Sequence, residues 1–159
     1  MFNKLILFFL ILFFAEYSFS QQNIKVYNPK ANAKADIKKA IKLASDKNKN
    51  VYVQIGGNWC PWCIRLHNYI KNNNILDSIQ KTDYEVVYVN YSKENKNLDL
   101  LKTFGNPQRF GFPVLVILND KGKVLHIQDS GYLEKNKSYD FNKVKRFLIL
   151  WNKKNTNIK

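Results

Sequence analysis

The sequence predicts an α/β protein, a sandwich of helices on a mixed β-sheet, and three observations carry that prediction. Short apolar runs with strand chemistry alternate with longer segments whose apolar residues recur three and four apart. Phe112 to Leu118 and Lys123 to Gln128 are joined by Asn119-Asp120-Lys121-Gly122, a β-hairpin that places an antiparallel pair beside strands separated by helices. No internal repeat is present, and 159 residues with 45% hydrophobic and 14% aromatic content suit one globular core.

The elements follow in order. Ile24-Lys25-Val26-Tyr27 is a short strand candidate, ended by the turn-forming pair Asn28-Pro29. Ile37, Ala40, Ile41 and Ala44 then mark the buried face of a helix, with Lys34, Lys38 and Lys42 on its wet face. Val51 to Ile55 reads as a buried strand stopped by Gly56-Gly57. From Pro61, Ile64, Leu66, Tyr69 and Ile70 suit a helix, broken at Asn72-Asn73-Asn74 and resumed by Ile75, Leu76 and Ile79. A strand covers Tyr84 to Asn90, and a helix about Asn95 to Phe104 buries Leu98, Leu101 and Phe104 before Gly105 ends it. After the hairpin, a last helix capped by Asp140 or Ser138 turns Phe141, Val144, Leu148 and Trp151 inward and Lys143 and Arg146 outward.

The first twenty residues stand apart. Lys4, the unbroken apolar run Leu5 to Phe14, Glu16 and the small-residue pattern Ser18-Phe19-Ser20 compose a signal peptide, cleaved near Ser20. A spanning helix needs about 20 apolar residues, twice what this run offers. The expectation is a signal over 1–20 and a single soluble domain over 21–159, periplasmic or secreted, without a stable membrane anchor. The net charge of +14 comes from lysines spread along the whole chain, with no focused patch and no interleaved aromatic face, which argues against nucleic acid as a partner.

Chemistry concentrates at Trp59-Cys60-Pro61-Trp62-Cys63, which holds both cysteines of the chain. As a staple the pair is poor, since closing so small a ring stabilises by about 2 kcal/mol against about 4.7 for a loop of roughly 100 residues. As a redox couple it is well placed, because exchange needs one accessible thiolate to attack and a second thiol to resolve the mixed disulfide. If Cys60 caps the helix beginning at Pro61, that helix's unpaired N–H groups favour its thiolate, and Cys63, one turn in, is the shielded resolving thiol.

Trp59-Cys60-x-x-Cys63 after a Val-rich strand, with Phe112-Pro113 opening another strand some fifty residues on, resembles the thioredoxin-like superfamily over nearly the whole mature chain. The downstream Gly131-Tyr132-Leu133 looks like exported members of it. The resemblance implies the thioredoxin fold, a three-layer α/β/α sandwich with a mixed central β-sheet. It also implies that Pro113 is cis and lies against the cysteines, and that the backbone of Phe112 pairs with the substrate. Two residues depart from the pattern. Thioredoxins carry a buried Asp six residues before the first cysteine that helps move the second thiol's proton; Gln54 stands there and cannot act as a base, so water or no group takes that role. The intervening pair is Pro61-Trp62, locally closer to the Cys-Pro-aromatic-Cys of glutaredoxins.

Catalytic Cys60 and Cys63 are thus expected, with Trp59, Pro61, Trp62, Phe112 and Pro113 binding substrate and Trp62 preferred as the landing surface for extended clients. The expected function is exchange of disulfides with protein clients, as a reductase, in a monomer without bound cofactor that a separate periplasmic or membrane thiol-disulfide partner resets. Two other readings compete. One is a binding module with a permanently closed Cys60–Cys63 pair. The other is a zinc site, since Cys60, Cys63 and His67 form C-x2-C-x3-H, but a closed site needs a fourth ligand and His126 lacks signature spacing. His67 is otherwise a surface or supporting histidine, and Arg65 a solvated one. Haem attachment fails, because Ile64 and not His follows Cys63.

Overall fold

The computed structural model of the chain describes residues 25–157. The proposed signal segment and its cleavage site lie outside the described residues. Helix α1 (Ala33–Asp46) leads into β1 (Asn50–Gly56), then α2 (Pro61–Lys71), α3 (Asn74–Asp83), β2 (Tyr84–Asn90), α4 (Leu98–Thr103), β3 (Val114–Leu118) and β4 (Val124–Asp129). A two-residue pair, β5 (Glu134–Lys135) and β6 (Ser138–Tyr139), precedes α5 (Phe141–Leu150) and the short α6 (Lys153–Thr156).

The main sheet has the order β2-β1-β3-β4. β1 pairs parallel with β2 and antiparallel with β3, and β3 is antiparallel to β4. The mixed sheet and the hairpin are therefore as expected, and Gly122, with φ of 79°, supplies the left-handed residue the turn needs.

Two apolar layers cover the sheet, because successive strand residues point to opposite faces. Val51, Val53 and Ile55 of β1 and Val114, Val116 and Leu118 of β3 pack with Ile37, Ala40 and Ala44 of α1 and Leu100 and Leu101 of α4. Tyr52, Leu115 and Ile117 face the other way, onto Leu66 and Ile70 of α2, Leu76 of α3 and Val144, Phe147 and Leu148 of α5. Every residue of β1 and β3 is buried, which explains why β3 reads as a continuous apolar run and β1 as one interrupted between Val51 and Ile55 only by Gln54, rather than as alternating strands. The same period of two puts Gln54 on the face beneath α2, fully buried under the cysteine helix.

Two expectations shift, and one open choice is resolved. The strand over Ile24 to Tyr27 does not form in the described part: residues 25–27 run as irregular chain, with Tyr27 buried. Its backbone finds no strand partner because the Asn58 side chain takes both ends, Oδ1 accepting Tyr27 N–H at 3.0 Å and Nδ2 donating to Tyr27 O at 2.7 Å. Asn28-Pro29 does turn, with Ala31 N donating to Asn28 O at 3.1 Å. The helix expected from Asn95 starts only at Leu98, since Asn95 Nδ2 bonds Pro29 O and Asn97, left-handed at φ 50°, bonds Asn90 O; Leu98 is exposed while Leu100 takes the buried place. Of the two candidate caps for α5, Asp140 is used, accepting from Lys143 N at 3.0 Å, and Ser138 lies in β6.

Candidate active site

The segment between β1 and α2 builds the site. Cys60 is the N-cap of α2 in extended backbone, and Pro61 occupies the first turn, where its missing N–H costs no hydrogen bond. The Cys60 carbonyl accepts from Cys63 N and Ile64 N, and its sulfur accepts from Cys63 N at 3.2 Å. The first sulfur therefore sits at the positive end of the helix, where negative charge is favoured. Cys60 and Cys63 are joined by a disulfide with Cα atoms 5.2 Å apart. Cys60 is 4% exposed and Cys63 not at all, so the second sulfur is the shielded one.

Opposite the pair, the Phe112-Pro113 bond is cis, and Phe112 O lies 3.7 Å from Cys60 Sγ. An aromatic wall rises beside it: Phe112 packs on Tyr91 with ring centres 4.6 Å apart and on Trp59, edge to face, at 5.6 Å. Trp59 is 56% exposed and anchored by its indole N–H, which donates to Tyr91 O at 2.6 Å. That fold-back needs Gly57, where a Cβ would strike the Trp59 ring and come within 2.8 Å of Tyr91 O.

Trp62 is placed differently from the role preferred for it. Its ring is half-buried against Tyr139, edge to face at 5.5 Å, and its carbonyl accepts from Tyr139 OH. As a residue of the first turn of α2 it leans back onto the helix-covered core, whereas Trp59, ahead of the helix, stays outside. Arg65 is not simply solvated; its guanidinium lies 4.5 Å over the Trp62 ring. His67 is engaged with Tyr88, Nδ1 to OH at 3.0 Å, and burial, then the Lys71 charge, hold it below the ordinary histidine range. Among the described residues no three His, Cys, Asp or Glu side chains stand together as a metal-ligand set.

Beneath α2, Gln54, noted in the sequence as a departure from the family pattern, meets a partner the sequence pattern did not reveal, Tyr27. Gln54 Nε2 donates to Cys63 O at 3.1 Å and to Tyr27 OH at 2.7 Å, and its Oε1 accepts from Tyr52 OH at 3.3 Å. Tyr27 packs with Cys60 and Cys63 in one buried cluster. Burial drives its hydroxyl well above the ordinary tyrosine range, only partly offset by the hydrogen bond from Gln54. Gly56 leaves the space for this cluster, since a Cβ there would collide with Cys63 Sγ and lie 3.0 Å from Tyr27 OH and 3.2 Å from Cys63 Cβ. Gly56→Ala is therefore expected to lower stability by about 1–3 kcal/mol, the usual cost of overpacking a filled core, read from the midpoint of urea unfolding.

Making and breaking this one disulfide, at the head of a helix and against a cis-proline strand, is the chemistry that fold and site define together: the protein is a thiol-disulfide oxidoreductase. Over residues 37–143 its sequence matches the family described as a thioredoxin-like domain, and the chain belongs to that family. A solved structure described as a disulphide isomerase from Xylella fastidiosa Temecula1 is 26% identical, with a TM-score of 0.70, covering 79% of this chain and 95% of its own. A second, described as DsbH oxidoreductase, shares the fold at 22% identity and a TM-score of 0.50, covering 70% of this chain and 80% of its own. No curated protein is significantly similar in sequence.

Proposed function

We propose that this oxidoreductase is exported and acts as a reductase of disulfides in protein clients, with Cys60 attacking and Cys63 resolving. The observation that carries the reading is the asymmetry of the two sulfurs. Cys60 Sγ takes the Cys63 amide at the helix start and lies beside the Phe112 carbonyl, while Cys63 Sγ is sealed in the core. An attacking sulfur needs access and stabilised charge, and a resolving sulfur needs only proximity to the first. The name disulphide isomerase on the Xylella neighbour supports protein disulfides as the substrate class.

In this reading the exposed Trp59 face and the Phe112 backbone receive an extended client, with Pro61, Trp62 and Pro113 shaping the floor. The sequence of residues 1–20 supports export, and a separate thiol-disulfide donor in the same compartment returns the pair to the dithiol. Equilibration of the purified domain with glutathione tests the direction. A potential near −270 mV, the thioredoxin end of the roughly −270 to −120 mV range, is expected for a reductase, and one near the oxidising limit would reassign the protein as an oxidase.

A further inference from the structure

The cysteine pair lacks the carboxylate that its family places under the second thiol, yet the position is not empty of chemistry. Gln54 is held in one orientation by its neighbours. Cys63 O can only accept, so the Gln54 amide nitrogen must face it, and Oε1 must then take the Tyr52 hydroxyl. The same nitrogen donates to Tyr27 OH, which makes that oxygen an acceptor and leaves its proton unspent. Among the described residues no group, sulfur included, accepts from the Tyr27 hydroxyl while the two cysteines are joined as a disulfide. The group beside it is sulfur: Tyr27 OH and Cys63 Sγ crowd the same bare face of Gly56.

We propose that Tyr27 is a catalytic residue of the resolving step, donating its hydroxyl hydrogen bond to the Cys63 thiolate, with Gln54 and Tyr52 as positioning residues that aim it. The inference rests on the reading of Cys63 as the resolving thiol. In the mixed disulfide the Cys63 thiol loses its proton to solvent, and the thiolate forms a bond to Cys60 Sγ. The bond from Cys60 Sγ to the client sulfur breaks, and the client leaves as a thiolate that takes a proton from solvent. The two cysteines are oxidised by two electrons and the client disulfide is reduced by the same two. Tyr27 gains or loses nothing; it stabilises charge on a sulfur that burial would otherwise keep protonated.

The titratable groups around Cys63 are few. They are Cys60 on its own helix, Tyr27 from the N-terminal segment and Tyr88 from β2, with Tyr52 one hydrogen bond further, His67 bonded to Tyr88, and Tyr139 bonded to the Trp62 carbonyl. Among the described residues no carboxylate or ammonium is hydrogen-bonded to Cys63, Gln54 or Tyr27; the charges that act on the surrounding groups are Arg65, over the Trp62 ring, Lys71, on His67, and Asp77, on Tyr88. A hydroxyl is therefore the donor available to a thiolate there.

Tyr27→Phe keeps the ring and removes the donor. Reduced protein is mixed with Ellman's reagent across a pH series: the first thionitrobenzoate released reports attack by Cys60, the second reports resolution by Cys63. The second phase is expected to shift its pH midpoint upward by about one unit and to slow about tenfold at neutral pH, the scale of one lost hydrogen bond to a charged group, while the first phase changes little. An unshifted midpoint in Tyr27→Phe overturns the proposal. A wild-type protein that never releases the second equivalent instead sinks the resolving role of Cys63 itself. If Tyr27→Phe does not fold, NMR of the Cys60→Ser protein decides: the Tyr27 ζ-carbon signal must move with the same midpoint as the Cys63 β-carbon, and an indifferent Tyr27 signal overturns the inference.

Discussion

Cys60→Ser is expected to reduce insulin disulfides no faster than the reductant alone, a loss of at least about a thousandfold, the scale on which removing a covalent nucleophile acts. Serine keeps the N-cap, because its hydroxyl accepts from Cys63 N as the sulfur does, so α2 remains in place. The loss then belongs to chemistry and not to folding, which a thermal melt close to that of the wild type would establish. Equal turbidity rates for wild type, Cys60→Ser and the double serine variant would leave only a binding module with a closed pair. Since Cys63 is sealed beneath the helix, it cannot substitute for Cys60 as the attacking group, and residual activity above about a tenth of wild type would break the assigned order of the two sulfurs.

The second large effect comes from Cys63→Ser. Attack by Cys60 continues, but the mixed disulfide has no internal exit, so a covalent adduct with a client accumulates toward one per protein and turnover stops. Non-reducing gels followed by mass spectrometry detect it, and dithiothreitol releases it. The adduct should form on Cys60 with the client lying along the Phe112 carbonyl and the Trp59 ring, since these flank the sulfur. Turnover undiminished in Cys63→Ser, with no adduct, would mean that resolution comes from a second molecule.

How much of this was legible beforehand follows from where each signal resides in the chain. Cys60, Pro61 and Cys63 are adjacent, and a strand followed by Gly-Gly and a helix opening with proline leaves little choice about their geometry. Phe112-Pro113 was legible through family resemblance, and the cis bond is present. Tyr27 was not, because its importance depends on Asn58, which competes for the backbone that a β-rich run would have offered to a sheet. Periodicity measures the side chains of a segment and is blind to a side-chain amide arriving from 31 residues away. Trp62, preferred from the sequence as the landing surface, leans onto the core while Trp59 stays exposed, because only Trp62 lies inside the helix. Asn95 and Asn97 shortened α4 for a related reason: their amides cross-brace the loop to Pro29 and Asn90, and the helical spacing of Leu98 and Leu101 carries no trace of that competition.

The clasp of Asn58 on the Tyr27 backbone has a practical reach. The family match begins at residue 37, so a trimmed expression fragment cut to the family's own boundary would drop Tyr27 while keeping the cysteines and every strand of the main sheet. Such a fragment would leave the Gln54 amide short of one acceptor and open the underside of the cysteine helix to water. The ten residues ahead of the formal domain are thus part of the machine's floor, and the working unit starts before its recognisable pattern does.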